Sequence, residues 1–91
     1  MIPPRIKDIK VFDNYNIEIN YINGEKKLYN MEKSLKYDFY KNLKNISYFK
    51  LAKSVATTIE WPNGEDIDPN ELYENSQVIE WNVKATRGRL A

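Results

Sequence analysis

The side chains able to do chemistry in this chain are carboxylates, lysines, tyrosines and hydroxyls, because the sequence contains neither His nor Cys. That removes the commonest general base, the thiolate nucleophile and the main transition-metal ligands, and with them Ser-His-Asp catalysis and ordinary zinc sites within this chain. The densest remaining group is the acidic stretch Glu65, Asp66, Asp68 and Glu71. Carboxylates this close could hold Mg²⁺ or Ca²⁺, or divide the roles of acid and base. They do not match a calcium-binding EF-hand loop, which places its Gly after several ligands, whereas Gly64 precedes them here. The same residues spell a helix start. Asp68 can be the N-cap, Pro69 suits the first helical position, Glu71 stands where a capping-box acid reaches back, and Ile67 and Leu72 are spaced as a hydrophobic staple. Backbone N–H donors would then occupy Asp68 and Glu71, so these carboxylates are expected to be scaffolding, with no catalytic, metal or cofactor-binding residue and no cofactor.

Two other groups could bind without reacting. If residues 32–44 form a helix, Lys33, Tyr37, Tyr40 and Lys44 fall opposite Leu35, Phe39 and Leu43, giving a basic face interleaved with aromatics. Lysines neutralise phosphates and tyrosines stack on bases, so this face carries the alternative function, nucleic-acid binding. A solvated helix face is the commoner fate of such a charge run. Near the C-terminus, Val78, Ile79, Trp81 and Val83 form an apolar run that either pairs with its own sheet or offers an edge to another chain. With Arg87 and Arg89 of the basic end beyond it, this run is the expected partner-binding surface. Trp61 reads as core, since it ends an alternating strand and precedes Pro62, which holds it extended.

The elements that must position these groups follow from periodicity. A short strand at 6–11 precedes a strand at 15–21, where Tyr15, Ile17, Ile19 and Tyr21 share one face and Asn16, Glu18 and Asn20 the other. Asn23-Gly24 favours a two-residue type I′ turn, and residues 25–31 return as the partner strand. Leu35, Phe39 and Leu43, spaced by four, predict a helix whose apolar face meets the sheet. Strands are expected at 50–55 and 57–61, a short helix from Asp68, and a further strand at 77–83. The fold class is therefore α+β in two layers: a three-stranded antiparallel meander, a helix, two or three more strands and a short second helix. The domain spans 1–76, and 77–91 is a C-terminal extension that ends in a flexible basic segment.

Composition sets the outer limits. Ninety-one residues make one domain with a modest core, to which ten Ile, seven Tyr, three Phe and two Trp contribute. With no Cys to form disulfides, and with neither a leader-like segment nor an apolar run long enough for a membrane helix, the expected setting is the cytoplasm and not the membrane. The abundance of Lys, Asn, Ile and Tyr fits an AT-rich bacterial genome. Net charge is +1, yet segregated: residues 26–53 carry eight Lys against Glu32 and Asp38, whereas residues 54–83 carry seven acids and no base. Such asymmetry is either matched within the fold or shown to a partner.

The stretch Ile59-Glu60-Trp61-Pro62-Asn63-Gly64-Glu65-Asp66-Ile67-Asp68-Pro69-Asn70-Glu71-Leu72-Tyr73 resembles the signature of a small bacterial family, Domain of Unknown Function 2442. Tyr21-Ile22-Asn23-Gly24-Glu25 and the segment from Phe39 to Phe49 support the resemblance, which covers roughly residues 4–74. It implies an α+β domain and no established activity. It also implies proteins found alone or joined to a helix-turn-helix domain, the standalone ones suspected partners of small neighbouring proteins in toxin-antitoxin-like pairs. Asn30 departs from the family's Asp, and the chain runs about seventeen residues past the usual end. Together these readings predict a non-enzymatic interaction or regulatory module, antitoxin-like, whose partner is another small protein or a second copy of itself.

Overall fold

Alternation of apolar residues every second position builds the main sheet. A computed structural model describes residues 2–81, with Trp81 described by its backbone alone. Strands β1 (Ile6–Val11), β2 (Asn16–Tyr21) and β3 (Glu25–Asn30) form an antiparallel meander, and β6 (Gln77–Trp81) adds to β3, giving the order β1-β2-β3-β6. A separate hairpin pairs β4 (Lys53–Val55) with β5 (Thr58–Glu60). The expected run at 77–83 thus pairs with its own sheet as far as Trp81; residues 82 and 83 lie outside the described part. Ile17, Ile19 and Tyr21 turn to one face of β2 and are buried. Opposite them in register stand Tyr29 and Lys27, so β3 turns the same parity inward. That face meets a second layer of short helices and the small hairpin, which contributes Leu43, Phe49, Ile59, Trp61, Ile67 and Leu72 to one core. Each such side chain stabilises the fold by about 1.5–3 kcal/mol relative to exposure. Trp61 is core as expected, stacked 6.0 Å from Phe49 and donating its indole N–H to the Phe49 carbonyl at 2.8 Å.

The hairpin at Asn23-Gly24 forms, but with a different turn. Its loop is three residues, Ile22-Asn23-Gly24, closed by the Gly24 N–H on the Tyr21 carbonyl at 3.0 Å, and only Gly24 has positive φ, at 97°. This is a type I turn followed by a left-handed residue, which matches strand twist as well as the two-residue alternative does. The pattern recurs at Pro62-Asn63-Gly64, with Gly64 at φ 100° and its N–H on Trp61. It recurs once more at Asp13-Asn14-Tyr15, where Tyr15 occupies the glycine position at φ 69°. A bulky residue there is strained. What it places is visible: the Tyr15 ring lies 4.9 Å from Phe49 and its hydroxyl donates to the Lys44 carbonyl.

The single helix expected over 32–44 is replaced by two 3₁₀ segments, Glu32–Ser34 and Asp38–Lys44, with Tyr37 extended between them at ψ 138°. At three residues per turn, side chains four apart no longer stack. Leu43 is accordingly buried and Leu35 partly so, while Phe39 stands 57% exposed, edge-on to Tyr40 at 4.9 Å. A one-turn helix α1 (Ile46–Phe49) follows, its start capped by Asn45 Oδ1, which accepts from the Ser47 and Tyr48 N–H groups. Helix α2 (Pro69–Asn75) begins as read, with Asp68 Oδ1 accepting from the Asn70 N–H at 2.8 Å and Ile67 and Leu72 both buried. Glu71 differs. Instead of reaching back to the cap, its carboxylate accepts from the Tyr29 hydroxyl at 3.2 Å and from Asn75 Nδ2 at 2.8 Å, because α2 packs within reach of β3.

Candidate functional site

The acidic stretch does not converge. Glu65 is buried, accepting from the Tyr48 hydroxyl at 2.6 Å and from Asn42 Nδ2 at 3.2 Å. Burial alone would raise its carboxyl, but the hydrogen bonds from Tyr48, from a backbone N–H and from Asn42 outweigh it and hold the group below the usual carboxylate range. The Tyr48 hydroxyl also accepts the Asn63 N–H at 2.8 Å. The turn after Trp61 is therefore bolted to α1 and the segment before it. Asp68 caps α2, Glu71 holds Tyr29, and Asp66 is exposed, its carbonyl accepting from Tyr40.

A second polar group lies where β3 meets α2. The three-residue hairpin puts Glu25 opposite Tyr21 and Lys27 opposite Ile19, so both charged residues point into the protein and are buried. Glu25 accepts from the Tyr73 hydroxyl and from Asn23 Nδ2. Lys27 donates to the Tyr73 carbonyl at the end of α2 and lies 3.7 Å from the centre of the Tyr73 ring, a cation placed where the helix dipole and the π face both attract it. Burial draws the Lys27 ammonium below its ordinary range, against the pull of Glu25. Tyr21 lies edge-on to Tyr73 at 5.1 Å, and its buried hydroxyl finds no hydrogen-bond partner among the described residues. Burial, then the nearby Tyr73 and Glu25, raise it far above the usual phenol range. Burial and the Glu71 carboxylate push Tyr29 up to about 12. Sequence reading passed over Glu25, Lys27 and Tyr73; the signal lay in the hairpin register, which assigns the inward parity of β3 to charged residues.

Beside this group, β6 forms an edge of the sheet. Within the described residues, no strand pairs with its far side. Lys27 faces Val78 and Lys26 faces Glu80, with a register shift between the two pairs that leaves Ile79 as a bulge. Val78 and Ile79 are 53% and 48% exposed. On the outer face Lys26 lies between two carboxylates, 3.8 Å from Glu18 and 3.5 Å from Glu80. A shallow polar depression of 310 Å³ opens at this end, with Asp8, Asn20, Lys26 and Glu80 in its wall. Of the expected partner-binding residues, Val78, Ile79 and the backbone of Trp81 come together on this edge, and Val83, Arg87 and Arg89 lie outside the described residues.

The basic set is not aligned on one helix. Lys33 lines a 230 Å³ crease with Asn30, Glu71 and Asn75; Tyr37 is exposed; Tyr40 packs against the core and donates to Asp66; Lys44 is exposed. No described helix is long and apolar enough to cross a membrane.

A four-stranded antiparallel sheet under a layer of short helices and a hairpin, with Glu65, Asp68 and Glu71 capping or docking those pieces, defines a small α+β domain. The chain belongs to the family described as Protein of unknown function (DUF2442), whose sequence pattern matches residues 6–78. That match takes in both Asn-Gly-Glu turns and reaches the first residues of β6. No curated protein and no solved structure matches the chain.

Proposed function

We propose that this protein is a non-enzymatic interaction or regulatory module, antitoxin-like and cytoplasmic, that engages a small partner protein by taking a partner strand onto β6. The observation that carries this reading is the edge itself: a sheet edge with two large apolar side chains in solvent, and one charged residue, Glu80, on a strand that pairs with β3 on one side and with no described strand on the other. Edges left this open are unusual unless something adds to them, because unpaired strands template aggregation. Main-chain bonds supply affinity in such strand addition, and alternate side chains supply choice. The non-enzymatic part rests on the dispersal of Glu65, Asp68 and Glu71 onto separate structural partners.

The test compares what is retained from the native host by the wild-type chain, by Val78→Lys with Ile79→Lys, and by Lys33→Glu with Lys44→Glu, each checked for native circular dichroism. A protein retained by the wild type and by the Lys33/Lys44 variant but lost from the Val78/Ile79 variant is the expected result. Retention of nucleic acid that depends on Lys33 and Lys44 would replace this reading with the alternative one.

A further inference from the structure

We infer that the strand accepted by β6 is an extended basic-apolar segment, one that sets a Lys or Arg opposite Glu80 on the outer face of the sheet and an apolar residue opposite Val78 on the inner face. This rests on the reading of β6 as the docking edge and adds the chemistry of its occupant. Across the outer face the charges run Glu18, Lys26, Glu80 over β2, β3 and β6, negative, positive, negative. The lysine is shared, since one ammonium serves both carboxylates at 3.8 and 3.5 Å. Glu80 ends the series with its side chain 62% exposed and nothing described beyond it. A cation on the next strand continues the alternation and gives Glu80 a partner of its own; an anion would stand directly across from it. Opposite-charge cross-strand pairs contribute roughly 0.2–1 kcal/mol each and like pairs oppose association.

The inner face asks for something else. Val78 stands inward opposite Lys27, whose ammonium is already engaged by the Tyr73 carbonyl and ring, so a neighbour to Val78 meets an aliphatic surface. The bulge at Ile79 lets Val78 and Glu80 address opposite faces although they are two residues apart. A second copy of this strand is a poor occupant. Gln77–Trp81 contains one charged residue, Glu80, and no base, so self-pairing brings two carboxylates to the seam and supplies no cation to either. The wider charge pattern agrees: residues 54–83 carry seven acids and no base.

The probes are capped octapeptides of alternating Lys and Val, Glu and Val, or Thr and Val, titrated into the full chain while backbone amide resonances are followed. Lys-Val is expected to shift the β6 amides saturably and Glu-Val to bind about fivefold more weakly or less. Glu80→Lys should reverse that order, and salt should weaken the Lys-Val complex. Equal binding of the three peptides at β6 would overturn the charge inference and leave the edge reading standing. Absence of any shift on β6 would overturn both. A dimer of the free chain at sedimentation equilibrium that Ile79→Lys dissolves would overturn the inference in favour of a second copy.

Discussion

Single residues in this protein are charged or polar where a small core is usually apolar, and Glu25, Lys27 and Glu65 are each met by named hydrogen-bond partners. Glu65 is the clearest case. Its folded carboxyl is held below the unfolded value, so the stabilisation is complete above the ordinary Glu range and is lost as pH falls through the folded value. Glu65→Gln is therefore expected to lower stability by about 1–2 kcal/mol at pH 7. Denaturant melts should show that gap closing below the ordinary range near 4.5; a gap independent of pH would mean the anion is not what Tyr48 and Asn42 hold. Tyr21 is the opposite case, a buried hydroxyl without a described partner. Its ring, edge-on to Tyr73, is retained in Tyr21→Phe, so removing the hydroxyl is expected to raise stability by about 1 kcal/mol. Destabilisation of that size instead would show that the hydroxyl has a partner in solution.

At the scale of elements, three loops share one design and differ in how well their third residue suits it. Gly24 and Gly64 take positive φ at no steric cost, while Tyr15 accepts it in exchange for its contacts with Phe49 and Lys44. Ala56, in the β4–β5 turn, has φ 53° and its carbonyl accepts the Ile6 N–H, which ties that hairpin to the main sheet. Ala56→Gly should relieve the turn and raise the thermal midpoint, by about 0.5–1 kcal/mol of stability after the added freedom of the unfolded chain. A lower midpoint would place the strain elsewhere. The strands were legible because inward apolar positions repeat every two residues, as in Ile17, Ile19 and Tyr21. The start of α2 was legible because Asp68 and Pro69 act locally. Residues 32–44 misled because Leu35, Phe39 and Leu43 show a four-residue spacing that neither the extended Tyr37 nor the three-residue turn respects. Glu71 misled for a related reason: a tertiary partner, Tyr29, outbids a local cap, and local sequence does not name tertiary partners. The polar contacts of Glu25 and Lys27 needed only the parity of β3 to be followed past the hairpin.

Over the whole molecule, the segregated charge is partly matched within the fold and partly presented. Lys26 is shared by Glu18 and Glu80, and Lys27 is capped by α2, so two bases of the basic half meet acidic or dipolar partners internally. Glu80 stays largely in solvent beside Val78 and Ile79, on a strand that has one neighbour, β3, among the described residues. The opposite edge is different in kind, since on the outer side of β1 the Ile6 N–H is taken by the Ala56 carbonyl of the β4–β5 turn. One edge is thus partly closed by the protein's own chain, whereas no described strand lies beyond the other. The most direct measurement is amide hydrogen exchange, read residue by residue, of the chain alone and bound to a protein it retains from its host. Slowed exchange confined to residues 77–81 and their immediate neighbours is what strand addition predicts. Unchanged exchange there, with protection appearing around Lys33 and Lys44 or around Asp66 instead, would contradict it.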